Sequence, residues 1–373
     1  MSFGGPVAHL GYFREAFVTR LKWLPDEEYA DLVALCQFLP GPASSQAGYA
    51  LGLRRAGFMG GLAAWLGFTL PSAILMIGFA LGLGSLGALG SAGWVVGLKL
   101  VAVAVVAHAL WGMATKLCPN WRRQLLAGIT CGVLLASTGV GAQVVLILFG
   151  ALVGRIWMSE TSTEPATSND TAASRTGWVW LAVFFGGLLL LPVLALGGGE
   201  TIQIVDGFYR AGSLVFGGGH VVLPLLDAFT VGRDWVDEDT FLAGYGAAQA
   251  LPGPLFAFTA FLGSSLSVGP GGISGGVIAL IATYVPSLLL ILGVMPYWNR
   301  LRKIPSAQGM LRGANAVVVG LLAAALVNPI GLHALTDLWR WAFAAVAFVL
   351  LNFTKFPVWA LVGVGAVAGA ALF

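Results

Sequence analysis

Charged side chains are scarce in this sequence of 373 residues, of which only 9% are Asp, Glu, Lys or Arg. Soluble domains carry about 25% charged residues, so the composition argues against a soluble globular protein. Hydrophobic residues make up 58% of the chain, and they gather in runs of about 20 residues, the length that crosses the hydrocarbon of a bilayer. These runs are residues 57–83, 94–115, 178–196 and 271–295. The sequence therefore predicts an all-α polytopic membrane protein.

Features that would indicate other classes of protein are also missing. The three cysteines, Cys36, Cys118 and Cys131, have no metal-ligand spacing, so we expect neither a metal site nor a cofactor. The net charge is only +3 and the basic residues are dispersed, which argues against nucleic acid as a partner. No glycine-rich loop ends in Gly-Lys-Ser or Gly-Lys-Thr, so ATP is not a direct energy source. An ion gradient or a counter-anion would have to drive any transport.

The chain repeats itself on either side of a polar, low-complexity stretch at residues 159–175. The motif Leu-Pro-Gly-Pro at residues 39–42 returns 212 residues later, at 251–254. The pair Pro71-Ser72 returns as Pro286-Ser287 at an offset of 215. Because rare residues keep register over this distance, the sequence indicates an internal duplication. We predict an N-terminal repeat (1–158), a flexible cytoplasmic linker (159–177), a connecting transmembrane helix (178–197) and a C-terminal repeat (198–373).

The distribution of basic residues predicts how the two repeats lie in the membrane. Loops with Lys and Arg alternate along the chain with loops that have none, and basic loops stay in the cytoplasm. This places Gly57 at the cytoplasmic start of its helix and its counterpart Gly272 on the opposite side. The basic loops are 54–55, 116–123, 155 with the linker, and 300–303, and the others are 84–93, 139–142, 197–199 and 268–272. The predicted fold is therefore two inverted-topology repeats, an architecture that recurs in secondary transporters.

Each repeat contains a helical pattern that is interrupted by Pro-Gly-Pro. The flanking pieces, 26–39 and 43–54, then 240–251 and 255–266, have about 12 to 14 residues, so each is roughly 20 Å long and cannot span alone. Two missing backbone donors and a glycine end the helix at each motif. A lone Pro-Gly-Pro would indicate a simple loop, but its recurrence favours broken, re-entrant half-helices. Each break would leave a helix N-terminus inside the membrane, where unpaired N–H groups attract an anion.

Four motifs in this order resemble the signatures of the chromate transporter family in its long, two-domain form. They are Phe-Gly-Gly-Pro with His9, Gln-Phe-Leu-Pro-Gly-Pro from Gln37, Phe-Gly-Gly-Gly-His from Phe216, and Gln-Ala-Leu-Pro-Gly-Pro from Gln249. The resemblance covers essentially the whole chain. It implies export of chromate, with sulfate as a structural analogue, across the bacterial inner membrane, and hence chromate resistance. The partners implied are the oxyanion and the lipid bilayer, and a homodimer is left open.

The second repeat carries an apolar helix at residues 201–215 ahead of its Phe-Gly-Gly motif, whereas only Met1 and Ser2 precede the first motif. The family normally has this helix in both halves. We therefore expect the first helix of the N-terminal repeat to be missing from the chain as written.

The candidate substrate-binding residues lie around the breaks or are polar residues within apolar spans. Lys99 and its repeat partner Asn315 belong to the second group, and Arg210 could bind substrate or pair with Asp206 one turn earlier. Two serines follow the first break where Phe256 and Phe258 follow the second, so we expect an asymmetric site. His9 and His220 could carry a proton. The substrate-binding candidates are Gly4, Gly5, Gln37, Pro40, Gly41, Pro42, Ser44, Ser45, Lys99, Arg210, Gly217, Gly218, Gln249, Pro252, Gly253, Pro254 and Asn315.

Three other functions stay open at this point. Gly272-Ile273-Ser274-Gly275 matches the Gly-x-Ser-Gly pattern of rhomboid-like intramembrane serine proteases. Because Met59 stands where Ser274 stands in the other repeat, close helix packing explains the glycines better than a nucleophile does, and we expect a non-enzyme. A general sulfate or oxyanion carrier and an anion channel are not distinguished from a chromate carrier by the sequence.

Overall fold

A computed structural model describes residues 5–85, 93–136, 140–159, 176–216, 218–354 and 356–372. The described residues are 87% helical and contain no β-strand. This confirms the all-α class predicted from the composition. The predicted linker falls almost wholly on residues outside the described ranges.

The described residues of the N-terminal half form six α-helices and one π-helix, Arg14–Arg20. Two of the α-helices lie on either side of the first Pro-Gly-Pro. The third α-helix is bent at Ala56 and Gly57, whose backbone angles are not helical. This bend separates the predicted piece 43–54 from the predicted span that begins at Gly57. The six helices are α1 (Gly5–Phe13), α2 (Asp26–Phe38), α3 (Ala43–Ser85), α4 (Gly93–Leu117), α5 (Trp121–Ala136) and α6 (Val140–Trp157).

The C-terminal part begins with the connecting helix α7, and its described residues continue through ten further α-helices. Its second broken helix differs slightly from the prediction. The side chain of Asp237 accepts a hydrogen bond from the Thr240 amide, so this cap starts α10 at Glu238, two residues early. The helices are α7 (Gly177–Gly197), α8 (Glu200–Leu214), α9 (Val222–Thr230), α10 (Glu238–Ala248), α11 (Phe258–Ser265), α12 (Gly272–Val294), α13 (Trp298–Leu301), α14 (Pro305–Ala325), α15 (Leu332–Ala334), α16 (Leu338–Phe353) and α17 (Val358–Leu372).

Five helical segments in the described ranges are long and apolar enough to cross a membrane. The connecting helix α7 illustrates why they need a bilayer. Its residues Leu189, Leu190 and Leu196 are 68%, 61% and 89% exposed, so the described residues leave most of each side chain uncovered, as is typical of a helix surrounded by lipid. The chain is a multi-pass membrane protein. The five segments are Ala43–Ser85, Gly93–Leu117, Gly177–Gly197, Gly272–Leu301 and Pro305–Ala334.

The two halves pack against each other through two pairs of helices that meet at glycines. Helix α4 packs against α17, and α14 packs against α6. A methyl carbon built on Gly97 would lie 1.9 Å from the carbonyl oxygen of Gly365, and one built on Gly313 would lie 1.9 Å from that of Gly150. Gly97 and Gly313 occupy matching positions of the sequence repeat, as do Gly150 and Gly365. Each half therefore contributes one helix to a close backbone contact with the other half, as small residues permit in membranes.

Candidate functional site

The two Pro-Gly-Pro motifs interrupt their helices in the same way. The φ angles of Gly41 and Gly253 are +123° and +133°, values that side chains other than hydrogen rarely tolerate. Prolines on either side remove backbone donors, so the helix cannot continue through the motif. Helix α2 accordingly ends at Phe38 and α10 ends at Ala248. The predicted interruptions are therefore present in both halves.

Each break lies against the opposite half of the chain. A methyl carbon built on Gly41 would lie 2.7 Å from Oγ of Ser287, and one built on Gly253 would lie 2.5 Å from Oγ of Ser72. Ser72 and Ser287 are the matched serines of the sequence repeat. The Gly41 amide also donates to the carbonyl oxygen of Val215 at 2.7 Å. Both breaks are thus held by crossed contacts between the halves.

The first break is followed directly by an α-helix with a buried polar first turn. Helix α3 begins at Ala43, and Ser44, Ser45 and Gln46 are all buried. The Gln46 side-chain amide donates to the carbonyl oxygen of Pro40 at 2.8 Å, which fixes the shape of the break. The first amides of a helix have no partner within it and carry a partial positive charge. This turn therefore presents donors suited to an anion.

Further buried polar atoms surround the first break, and sequence reasoning missed them. The hydroxyl of Tyr284 faces those of Ser45 and Thr69, and the Trp65 ring lies 5.4 Å from that of Tyr284. Thr69 and Tyr284 are matched by the repeat offset of 215, and each lies near a Pro-Ser pair within an apolar run. Polar residues matched in this way were the signal that could have found them. The atoms without a hydrogen-bond partner in the described structure include Ser45 Oγ, Gln46 Oε1, Trp65 Nε1, Thr69 Oγ1, Tyr284 OH and Ser287 Oγ.

The second break is less polar than the first. It is followed by a single 3₁₀ turn, Leu255–Ala257, before α11 begins. The rings of Phe256 and Phe258 are fully buried here, where the first break has serines. Its polar groups are His220, in the 3₁₀ turn Gly219–Val221, and Tyr245 and Gln249, in and just after α10. Nδ1 of His220 lies 2.5 Å from the Tyr245 hydroxyl, and Gln249 lies against the same hydroxyl.

The structure brings some predicted residues together and leaves others apart. His9 is buried, with Nδ1 3.5 Å from Ser44 Oγ and its ring against Phe68, so it lies beside the first break. Gln37, by contrast, is exposed on α2, because the helix turns that side away from the buried residues Leu35, Cys36 and Leu39. The structure therefore does not place Gln37 among the buried donors.

The Phe-Gly-Gly segments are described only in part. Gly4 and Gly217 lie outside the described residues. Gly5 and Gly218 have φ angles of +76° and +142°, and new helical segments start at Gly5 and at Gly219. Positive φ angles of this size favour glycine at both positions.

The two predicted cations both pair with carboxylates. Lys99 Nζ lies 2.8 Å from Oδ1 of Asp239, and Arg210 forms an ion pair with Asp206 one turn earlier. Asp239 lies at the start of α10, nine residues or roughly 13 Å from the helix end at the second break. The structure therefore gives Lys99 a local partner away from that break. Asn315, its repeat partner, is half-buried and its Oδ1 has no partner among the described residues.

Comparison with known proteins gives a family match over both halves. The sequence model of a family described as "Chromate transporter" matches residues 1–155 and 202–370. The chain is 27% identical to a probable chromate transport protein of Synechococcus elongatus, over 94% of this chain and 86% of the relative. It is 28% identical to a chromate transport protein of Pseudomonas aeruginosa, over 88% of this chain and 77% of that protein. The corresponding protein of Cupriavidus metallidurans is 26% identical over 88% of this chain and 79% of its own length. No solved structure matches.

Proposed function

This chain belongs to the chromate transporter family, and on that premise we propose that it is a secondary transporter which exports chromate across the bacterial inner membrane. Transport of chromate across a membrane follows from the family. The export direction, the resistance to chromate that export would give, and the inner membrane as the location are our proposal. Sulfate, which is tetrahedral and doubly charged like chromate, is proposed as a second substrate.

The interrupted helix at the first Pro-Gly-Pro is the observation that supports this proposal best. Interrupted helices at matched places in two repeats are typical of secondary transporters, where half-helix ends line the substrate site near the midplane. The helix start at Ala43 offers backbone donors, and the buried Ser44 and Ser45 add side-chain donors. An oxyanion gains from several such donors in a site that excludes water. We propose that the substrate binds here.

The crossed contacts support a two-fold relation between the halves. Gly41 lies against Ser287 and Gly253 against Ser72, the pattern expected when matched elements exchange partners across an axis. We propose that the axis lies in the membrane plane, so that the repeats are inverted. Movement of one half against the other would then expose the site alternately to the two sides of the membrane.

An anion channel is the second candidate, since helix N-termini can also line a pore. The purified chain should be reconstituted in liposomes, and counterflow of labelled chromate and sulfate measured with and without a pH gradient. A carrier saturates and is stimulated by unlabelled anion on the opposite side, whereas a channel follows the electrical potential alone. Empty liposomes are the control.

Two outcomes of this experiment would contradict the proposal. If flux followed only the membrane potential and showed no stimulation from the opposite side, the chain would be a channel. If sulfate were exchanged and chromate were not, the chain would be a general oxyanion carrier. Dependence on the pH gradient would identify protons as the coupling ion.

A further inference from the structure

Buried hydroxyl groups in the helices of this protein fall into two classes. In one class, Ser and Thr donate to a carbonyl oxygen three or four residues earlier in the chain, the usual solution for these residues in a helix interior. Ser72, Thr130, Ser213, Thr230, Thr259 and Thr283 do so at distances of 2.7 to 3.1 Å. The hydroxyls of Ser45, Tyr49, Thr69, Ser264, Tyr284 and Ser287 have no partner among the described residues.

Four of these six hydroxyls form one group at the first break. We call Ser45, Thr69, Tyr284 and Ser287 the hydroxyl cluster. Tyr284 faces Ser45 and Thr69, and Ser287 lies on the next turn of α12, against Gly41 of the break. Each of the four residues is at most 1% exposed. The cluster therefore lies between the two halves, with two members from each.

The sequence repeat provides a comparison for the hydroxyls that have no hydrogen-bond partner. Ser72 and Ser287 occupy matching positions, yet Ser72 donates to the Thr69 carbonyl oxygen at 3.1 Å while Ser287 has no partner. A helix interior could therefore satisfy such a serine. A buried hydroxyl without a hydrogen bond is unfavourable, so four of them in one place are suited to bind a polar ligand.

The charge of the surrounding chain restricts what that ligand can be. Residues 40–50, 65–75 and 280–290, which carry the cluster and the break, contain no Lys, Arg, Asp or Glu. Arg54 pairs with Glu28 and Lys99 with Asp239. The helix start at Ala43 supplies a partial positive charge, which excludes a cation and favours an anion with several oxygen atoms.

We propose that the hydroxyl cluster and the first turn of α3 form a single oxyanion site per chain, at the interface of the two halves, which binds a tetrahedral oxyanion through neutral donors. This inference rests on the proposed function for the identity of the anion. Four hydroxyls and the helix amides match the four oxygen atoms of such an anion. Because hydroxyls both donate and accept, the site also accommodates an anion that carries one proton. Movement between the halves would take Tyr284 and Ser287 away from Ser45 and Thr69, which releases the anion.

The test uses the purified full-length chain and four variants, Ser45→Ala, Thr69→Val, Tyr284→Phe and Ser287→Ala, with chromate and sulfate binding measured at equilibrium. Each variant should weaken anion binding by about tenfold or more, the effect of losing a hydrogen bond to a charged group. The matched control is Thr283→Val, next to Tyr284 in α12, whose hydroxyl donates to the Ala279 carbonyl oxygen. The affinity of Thr283→Val for the anion should stay within about twofold of that of the wild type.

A second measurement separates a ligand site from a purely structural role. Without anion, the four variants should melt at a higher temperature than the wild type, because each removes an unsatisfied buried hydroxyl. Saturating anion should raise the melting temperature less in the variants than in the wild type. Lower melting temperatures without anion, together with unchanged affinity, would overturn the proposed site.

The outcomes also separate this inference from the proposed function. If the wild type transports chromate and all four variants bind it normally, the site is wrong and the function stands. If the wild type binds another tetrahedral oxyanion, such as phosphate or molybdate, with the same loss in the variants but neither binds nor transports chromate, the site stands and the function is wrong. If no tetrahedral oxyanion binds the wild type, both are wrong.

Discussion

At the scale of single residues, the glycine of each Pro-Gly-Pro is constrained both by its backbone and by its neighbours. Gly41 has a φ angle of +123°, and a methyl carbon there would lie 2.7 Å from Ser287 Oγ and 2.8 Å from Gln46 Nε2. Both atoms belong to side chains that line the first break. An added methyl group would therefore strain the backbone and displace polar groups together.

We predict that Gly41→Ala reduces the rate of chromate transport by about a hundredfold or more, since misplacement of binding groups by about 1 Å has effects of this size. Uptake into proteoliposomes at matched protein amounts measures it. The control is Gly67→Ala in α3, where nothing lies within 4 Å of the added carbon. Equal transport by the two variants would show that the shape of the break is unimportant.

The two residues of the Lys99–Asp239 ion pair differ in exposure, so we predict that replacing them has different effects on stability. The Lys99 side chain is 9% exposed, whereas that of Asp239 is 54% exposed. Asp239→Asn therefore removes the hydrogen-bonded carboxylate of a largely buried ammonium group, and we expect it to destabilise the protein by about 3 kcal/mol. Lys99→Gln leaves a carboxylate that water can reach, so we expect a loss of about 1 kcal/mol or less.

Thermal unfolding in detergent measures the stability of both Lys99 pair variants, and equilibrium binding measures their affinity for chromate. Because Lys99 pairs away from the breaks, we expect Lys99→Gln to keep its affinity for chromate within about twofold of the wild type. A tenfold loss of affinity in this variant would place Lys99 in the substrate site, as the sequence allowed.

At single residues, the sequence predicts those features that depend only on the local backbone. The glycine and proline positions of the breaks could be predicted, because their backbone requirements are local. The positions of Gln37 and Tyr284 could not be predicted in this way. The glutamine is exposed, since its direction depends on how α2 is rotated, and the tyrosine meets the break only through packing between helices more than 200 residues apart in the chain. Such contacts are tertiary and leave no local pattern.

At the scale of helices, the prolines determine where each interrupted helix ends. Pro40 and Pro252 lack the N–H that would continue α2 and α10. Replacing either with Ala permits the helix to extend, which would move the donors of the break. We predict that Pro40→Ala and Pro252→Ala each reduce chromate transport by about tenfold while membrane insertion is unchanged. Transport at the wild-type rate in both variants, at equal amounts in the membrane, would contradict the role of the breaks.

Helix packing leads to a separate prediction about stability. Gly97 in α4 lies against α17, and an added methyl carbon would lie 1.9 Å from the Gly365 carbonyl oxygen. Gly97→Ala should therefore lower the free energy of unfolding by about 1–3 kcal/mol, the usual cost of overpacking. Gly112→Ala in the same helix meets nothing within 4 Å, so it should be neutral or slightly stabilising.

Melting temperatures of the two glycine variants in detergent check this prediction. A Gly97→Ala protein that is as stable as Gly112→Ala would show that α4 and α17 do not pack closely. Both glycines are helical, so the comparison isolates packing from helix propensity.

Helix-level prediction was good for spans and poorer for short pieces. The long apolar runs could be predicted, because length and hydropathy alone define a span. The second break was less predictable: a continuous helix was expected from residue 255, whereas a 3₁₀ turn precedes α11 at Phe258. Phe256 and Phe258 are fully buried there, so packing of the two rings determines the local backbone.

At the scale of the whole molecule, the central question is whether the halves are inverted. Matched rare residues predict a duplication. They do not predict which helices of the two halves contact each other, because the packing of α4 against α17 and of α14 against α6 is tertiary. Residues 55 and 270 occupy matching positions at an offset of 215, and both are exposed. The positive-inside rule places Arg55 in the cytoplasm and residue 270 on the opposite side.

We predict that cysteines introduced by Arg55→Cys and Pro270→Cys, in a background with the three native cysteines replaced by alanine, react with a membrane-impermeant maleimide from opposite sides. In right-side-out cells only Pro270→Cys should be labelled, and in inside-out vesicles only Arg55→Cys. The background protein alone controls for unspecific labelling. Labelling of both variants from one side would mean that the repeats run in parallel. Two parallel halves could not expose the site alternately to the two sides of the membrane by the movement of inverted repeats proposed here.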